Sequence, residues 1–411
     1  MQLEVNCNGF HPIIWNSVFL EEGFMKRIKS FVLVFLCLVL ILTGCQSGSK
    51  SNKIVIGLNA ELTGSVPVVG ASCKNAAELA VKEINDAGGL DIKGKKYPVE
   101  LLIEDNEDKA ESAAAAAQKL ATAGVIAMIG PNASRNAIPA SVIAESSKML
   151  MISPWSTNAK ATIDEKSGSP KKYVFRAAFI DDFQGQVAAK FALDQLKTIK
   201  PAVLYDVASE YNKGIAEVYK ATLEAAGITL AAFESYTSGD KDFSAQITKI
   251  VQAGADSLFL PNYYSEVPLQ VQQAKKLGYE GSFIGSDSWG SAELLTLCGS
   301  DCDGSYFTTH YAADIATEKA QGFIAAYKAA YQATPDDVAA LTYDSFGLLF
   351  QSLQAAGKVD REAVRNAMAA ITSYEGVTGN MAFKGTGDPV KSAVVIQVTD
   401  GTFKYFQTAN P

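Results

Sequence analysis

The chain has 411 residues, with 36 Lys and Arg against 44 Asp and Glu, a formal net charge of −8, and 48% hydrophobic residues. Mixed charges with an acidic excess leave no basic footprint for nucleic acid, and the apolar content excludes a disordered chain. The length suits two domains of ordinary size.

Residues 1–24 have no strong periodic pattern. Leu20-Glu21-Glu22-Gly23 is encodable by a purine-rich run that would resemble a ribosome-binding site ahead of the Met25 codon. We therefore expect translation to start at Met25 and 1–24 to be an artefact of start assignment. Residues 25–44 read as a secretory signal. Met25-Lys26-Arg27-Ile28-Lys29 is a basic start, Phe31 to Leu42 is an apolar run, and small residues follow. The run falls well short of the roughly 20 residues that span a bilayer. Leu42-Thr43-Gly44-Cys45 resembles the bacterial lipobox, which implies that the Cys45 thiol is acylated and holds the mature chain to the membrane outside the cytoplasm. Residues 45–52 are a polar Gly/Ser-rich tether.

From Lys53 onward, short apolar runs alternate with Ala-rich segments of helical spacing. The runs are 54–58, 99–103, 126–130, 149–152, 173–176, 202–205, 257–260 and 282–285; the helical segments include 76–87, 110–123, 184–196, 215–226 and 243–253. This alternation predicts βαβ units with parallel sheets, an α/β class of open doubly wound layers. Several runs end on Gly, Pro, Ser or Asp, as at Gly130-Pro131, Ser153-Pro154 and Gly285-Ser286-Asp287. Carboxyl ends of strands are where open α/β sheets take ligands. Near the C-terminus, 380–383 and 394–406 read as hairpin strands around Gly- and Asp-rich turns.

Enzyme chemistry finds little support. His310 is the one histidine beyond the signal, no Gly-x-Ser-x-Gly elbow is present, and Gly57 to Gly64 lacks the Lys-Ser/Thr of a phosphate-binding loop. A zinc site is unsupported, and no metal or cofactor is expected. Cys298 and Cys302 either close a small disulfide ring in a surface loop or remain two free thiols.

The order of these motifs resembles the branched-chain amino acid (Leu/Ile/Val) binding proteins of ABC importers, with their type I periplasmic-binding fold. The markers run from Leu62-Thr63-Gly64 and Gly70 through Glu83-Ile84-Asn85, Gly88-Gly89, Ile129-Gly130-Pro131 and Ile152-Ser153-Pro154. They continue with Tyr211, Gly214, Lys241-Asp242-Phe243-Ser244 and Thr342-Tyr343-Asp344. The resemblance implies two doubly wound lobes joined by three hinge crossings, near 173–178, 306–310 and 378–383. Lobe one would be 53–175 plus 309–378, and lobe two 176–308 plus 379–411. It further implies a monomer that closes over a small zwitterionic ligand, an amino acid, and delivers it to a membrane permease and ATPase. Two alternatives stay open: an amide or small aromatic acid as ligand, and a sensor that serves a membrane receptor.

Carried over residue by residue, the ligand carboxylate would meet hydroxyls and backbone N–H groups of Asn132-Ala133-Ser134 and Trp155-Ser156-Thr157. The first stretch opens a helix, whose N-terminus favours an anion. A cap role for Ser134 is the competing reading. Asp287 matches the acid for the ammonium, and Tyr211 and Tyr263 match tyrosines that cover the ligand. Val69 stands where the family has a tyrosine, Trp155 where it has a small residue, Val338 near an often aromatic position, and Asp287 where it has a glutamate. Trp155 and nearby Trp289 would line the pocket, and the side chain bound is not safely Leu, Ile or Val.

Overall fold

The computed structural model describes residues 53–411; the 1–24 segment, the signal, Cys45 and the tether lie outside the described residues. Along β1 (Ile54–Ala60), Ile54, Ile56 and Leu58 bury on one face and Val55 on the other, so the strand is covered on both sides. A small hairpin of β2 (Leu90–Ile92) and β3 (Lys95–Tyr97) precedes β4 (Val99–Asp105). With β5 (Ala127–Ile129), β6 (Leu150–Ser153) and β7 (Val174–Arg176), these form a five-stranded parallel sheet ordered β4-β1-β5-β6-β7. Helix α1 (Pro67–Asp86) covers one face, while α2 (Ala110–Thr122) and α3 (Ser134–Ser146) cover the other through Ala117, Leu120, Ala137 and Ala140.

The second sheet holds β8 (Pro201–Asp206), β9 (Ala232–Tyr236), β10 (Ser257–Leu260), β11 (Ser282–Gly285) and β12 (Tyr306–Thr309) in parallel. Between them run α4 (Asp181–Asp194), α5 (Glu210–Ala225), α6 (Ser244–Gln252), α7 (Val267–Lys276) and α8 (Ala292–Cys298). Val203, Tyr205, Phe259 and Ile284 face α4 and α5, whereas Leu204, Leu258 and Leu260 face the other side. The chain then returns to the first sheet with α9 (Glu318–Tyr331), α10 (Asp337–Ala356), which packs on α1, and α11 (Arg361–Ala369). Every apolar run picked out in the sequence is a strand, and the α/β reading with two parallel-sheet lobes holds.

The third crossing lies later than expected. Strand β14 (Gly379–Phe383) does not lead into the second sheet; it pairs antiparallel with β13 (Tyr374–Gly376) and β15 (Pro389–Val390). This three-stranded piece sits against first-lobe elements. The Asp344 carboxylate of α10 accepts the Val377 and Thr378 N–H groups, and Gly387 O accepts the Arg176 N–H. The turn at Lys384 to Asp388 folds the chain back, so residues 379–390 stay with the first lobe and the passage falls at Lys391-Ser392. Only then do β16 (Ala393–Thr399) and β17 (Thr402–Ala409) join the second sheet, β16 antiparallel to β12. Lys391 is buried there, its Nζ 2.6 Å from Thr378 Oγ1, and burial pulls its pKa down to about 8 against the charges of Asp344 and Asp337.

In the loop after α8, the Cys298 and Cys302 sulfurs stand 1.98 Å apart, with Cα atoms at 5.7 Å. Among the described residues no helix is long and apolar enough to cross a membrane.

Candidate functional site

Five strand ends converge at the cleft between the lobes. After β1, Glu61 turns inward and is fully buried. Its carboxylate accepts the backbone N–H of Asn132 (3.1 Å) and of Ala133 (3.1 Å), and the side-chain amides of Asn132 (2.8 Å) and Asn136 (3.0 Å). This corrects the expected site: the first two N–H groups before α3 are held by a carboxylate of the chain itself. Glu61 takes up the anion-favouring end of the helix, although burial still raises its pKa against those donors. The next N–H groups, of Ser134 and Arg135, find no acceptor among the described residues.

Ser134 is not the cap. Ala133 holds the N-cap position, and Ser134 Oγ lies 3.0 Å from Ser156 Oγ while accepting the Asn158 N–H at 3.3 Å. The loop after β6 is pinned from behind by Arg176, a fully buried guanidinium. It donates to Ser156 O (2.6 Å), Asn158 O (2.8 Å) and Thr162 Oγ1 (2.7 Å), and pairs with Asp388 at 2.6 Å. From this loop Trp155 projects inward, its indole N–H donated to Asp337 Oδ2 at 3.1 Å.

On the second lobe, Asp287 follows β11 and is buried. The Tyr211 hydroxyl donates to its Oδ1 and lies 2.7 Å from Ser286 Oγ; His310 Nε2 lies 3.1 Å from Oδ2. Burial lowers the His310 pKa to about 4, against the pull of Asp287, so at neutral pH the ring is uncharged and its Nε2–H is the donor. His310 also stacks on Phe179, with ring centroids 3.6 Å apart.

A second acid, absent from the sequence expectations, stands beside it. Asp181, in the first turn of α4, accepts the Asn158 side-chain amide at 3.0 Å, while its other oxygen and Thr157 Oγ1 are buried side by side without a well-formed hydrogen bond. Burial pushes its pKa up to about 7; Thr157 works against that shift and the Asp287 charge adds to it. Asn158 donates as well to Glu210 O on the other lobe at 2.9 Å. A side chain at Gly214 would obstruct this contact, its β-carbon 2.9 Å from Asn158 Nδ2, so the close approach requires glycine.

Asn132, Ala133, Ser134, Trp155, Thr157, Tyr211, Tyr263 and Asp287 line one space between the lobes, too narrow in this closed form for a water molecule. Of the expected ligand contacts, Ser156 and Val69 do not line it. Ser156 sits behind Ser134, and Val69 borders a neighbouring gap of about 10 Å³ with Val68, Tyr264, Val338, Ser288, Ser291, Asp336 and Asp337, on the far side of Trp155. Trp289 lines neither; its indole is fully buried, donates to Leu260 O and packs against Gly285. A larger hollow of about 310 Å³, open to solvent, lies beside the second crossing and gathers Phe307, Tyr311, Phe403 and Asp337 but none of the expected contacts. Among the described residues no group of His, Cys, Asp and Glu is arranged to hold a metal ion.

Residues 53–402 match the family model described as periplasmic binding protein. The chain is 34% identical over 339 residues to the leucine-, isoleucine-, valine-, threonine-, and alanine-binding protein of Pseudomonas aeruginosa, covering 82% of this chain and 87% of that one. Its fold is similar to the leucine binding protein LivK of Thermotoga maritima, at a TM-score of 0.81 and 30% identity over 87% of this chain and 99% of that one. It is equally similar to the branched-chain amino acid transporter substrate binding protein LivJ of Streptococcus pneumoniae in complex with isoleucine, at a TM-score of 0.80 and 30% identity over 87% and 100%. The chain belongs to the periplasmic binding protein family, among the type I binding proteins of branched-chain amino acid ABC transporters.

Proposed function

We propose that this protein captures a free α-amino acid outside the cytoplasm by closing its two lobes over it, and hands it to an ABC permease and ATPase. The observation that carries the reading is the division of charge across the cleft. The first lobe offers hydroxyls of Ser134 and Thr157 and the open N–H groups of α3, all suited to a carboxylate. The second offers Asp287, suited to an ammonium. Each end of a zwitterion then exchanges water for a charge-assisted partner, about 1.5–3 kcal/mol per bond. Contacts made to both lobes at once exist only in the closed form, which is why the ligand favours closure.

A thermal-shift screen of the amino acids and related amides tests this. A ligand at 100 times its Kd stabilises by about 2.7 kcal/mol, a clear rise in melting temperature. A shift with amides or aromatic acids and none with any α-amino acid would refute the reading. The lipid anchor on Cys45 belongs to the same proposal. Its test is partition of the expressed protein into detergent, expected for the native chain and lost with Cys45→Ser.

A further inference from the structure

Trp155 is the common wall of two spaces. On one side lies a narrow space lined by Ser134, Thr157, Tyr211 and Asp287; on the other lies a gap of about 10 Å³ lined by Val69, Val338 and Tyr264 and by Ser288, Ser291, Asp336 and Asp337. The valines on the far side are the nearest apolar surface for a ligand side chain, and the indole stands between them and the polar groups of the first space. The ring is 5% exposed and packs at 6.2 Å and 50° against Tyr263.

Its orientation is fixed from outside the site. Asp337, the first residue of α10, accepts the indole N–H on Oδ2 (3.1 Å) and the Thr309 hydroxyl on the same oxygen (3.0 Å). Its Oδ1 accepts the Val338 N–H at 3.0 Å and faces Gly290, where a β-carbon would come within 2.8 Å of it. For the ring to swing clear, a carboxyl group that is only 4% exposed would lose a donor, which is costly.

We propose that Trp155, held by Asp337, is the specificity-determining residue of this protein, restricting the ligand to amino acids with short side chains. The proposal rests on the amino-acid reading above. The carboxylate and ammonium partners surround the small space, so a ligand bound to both directs its side chain at the indole. A short side chain demands the least space beside the ring; a branched four-carbon one collides with the indole unless it moves. Asp337 is a positioning residue, since it acts on the ligand only through the indole.

The test is titration calorimetry on the chain from residue 46, with glycine, alanine, serine, threonine, valine, leucine and isoleucine. The expected result for the wild type is binding of alanine or serine at least about ten-fold tighter than leucine. Trp155→Ala joins the two spaces and is expected to reverse that order. Asp337→Ala leaves the ring but frees it, and is expected to narrow the preference, while Asp337→Asn keeps an acceptor for the indole and restores it. Leucine binding the wild type as tightly as alanine overturns the size rule alone, as does an unchanged preference in the Trp155→Ala protein. If Trp155→Ala does not fold, the Asp337 pair decides, and equal preference in Asp337→Ala and wild type overturns the role of Asp337. Failure of every α-amino acid to bind the wild type overturns the amino-acid reading and the size rule with it.

Discussion

His310 Nε2 stands 3.1 Å from Asp287 Oδ2, so the acid of the second lobe is held by a residue of the second crossing. The ring in turn stacks on Phe179, just beyond the first crossing. The hinge and the proposed ammonium partner are therefore one packed unit. Replacing His310 with Ala removes this donor and leaves one side of the Asp287 carboxylate unpaired, and affinity for the ligand is expected to fall about ten-fold, read by calorimetry. Stability carries a pH signature too. The imidazole is neutral in the folded chain down to about pH 4, whereas in the unfolded chain it takes a proton below about 6.5. The unfolded state binds more protons across that window, so wild-type stability is expected to drop from pH 6.5 to 4 relative to a His310→Gln variant, in urea unfolding at stepped pH.

Asp181 gives the opposite slope and a binding signal. Its pKa is raised to about 7 from an ordinary 3.8, so the folded chain keeps a proton that the unfolded chain has released. That contribution to stability is whole below about pH 4 and lost as pH rises through 7, and Asp181→Asn is expected to remove it. An ammonium held by Asp287 offsets the charge that helps raise the Asp181 pKa, so it favours the ionised form of Asp181 and release of its proton. Affinity for the ligand is therefore expected to fall as pH drops below 7. Calorimetry in buffers of different ionisation enthalpy is expected to show proton release near neutrality, absent in Asp181→Asn.

Glu61 is expected to be a stability residue with a secondary effect on binding. Glu61→Ala strands four buried donors around Asn132, Ala133 and Asn136, at a cost of about 3 kcal/mol or more in urea unfolding. Glu61→Gln keeps an acceptor and is expected to cost less than half of that.

Cys298 and Cys302 are expected to be bonded in the mature protein, with Cys73 the one free thiol among the described residues. Labelling the chain from residue 46 under denaturing conditions is expected to find one thiol before reduction and three after. The closed loop is short, so reduction is expected to cost only about 2 kcal/mol or less.

Much of this molecule was legible in its sequence because strand cores and helical faces leave periodic marks. The runs at Ile54, Ile129, Ile152, Leu260 and Ile284 became central strands, and the residues at their carboxyl ends, Asn132, Trp155, Tyr263 and Asp287, came together around one space. What failed to show was set by contacts without period. Glu61 reaches the start of α3 across more than 70 positions of sequence. Asp181 and Arg176 were visible as charges beside the apolar Val174-Phe175 and Ala177-to-Ile180 stretches, a signal that could have marked them, but their partners lie in the 156–162 loop. The third crossing was misplaced because Gly379 to Phe383 has the pattern of any strand, and its pairing with β13, the Asp344 contacts and the Gly387–Arg176 bond keep it on the first lobe.

The Asn158 amide bridges Asp181 and the Glu210 carbonyl between residues that are all the protein's own. A receptor so built is already biased toward its shut form, and its cargo supplies only the remainder of the free energy needed to shift the balance. Such bias sharpens capture of a scarce nutrient, but each spontaneous shutting also offers the transporter a docking shape with nothing inside. The strength of the contacts that Asn158 and Lys160 make to Glu210 therefore bears on a trade between scavenging power and idle turnover of the pump.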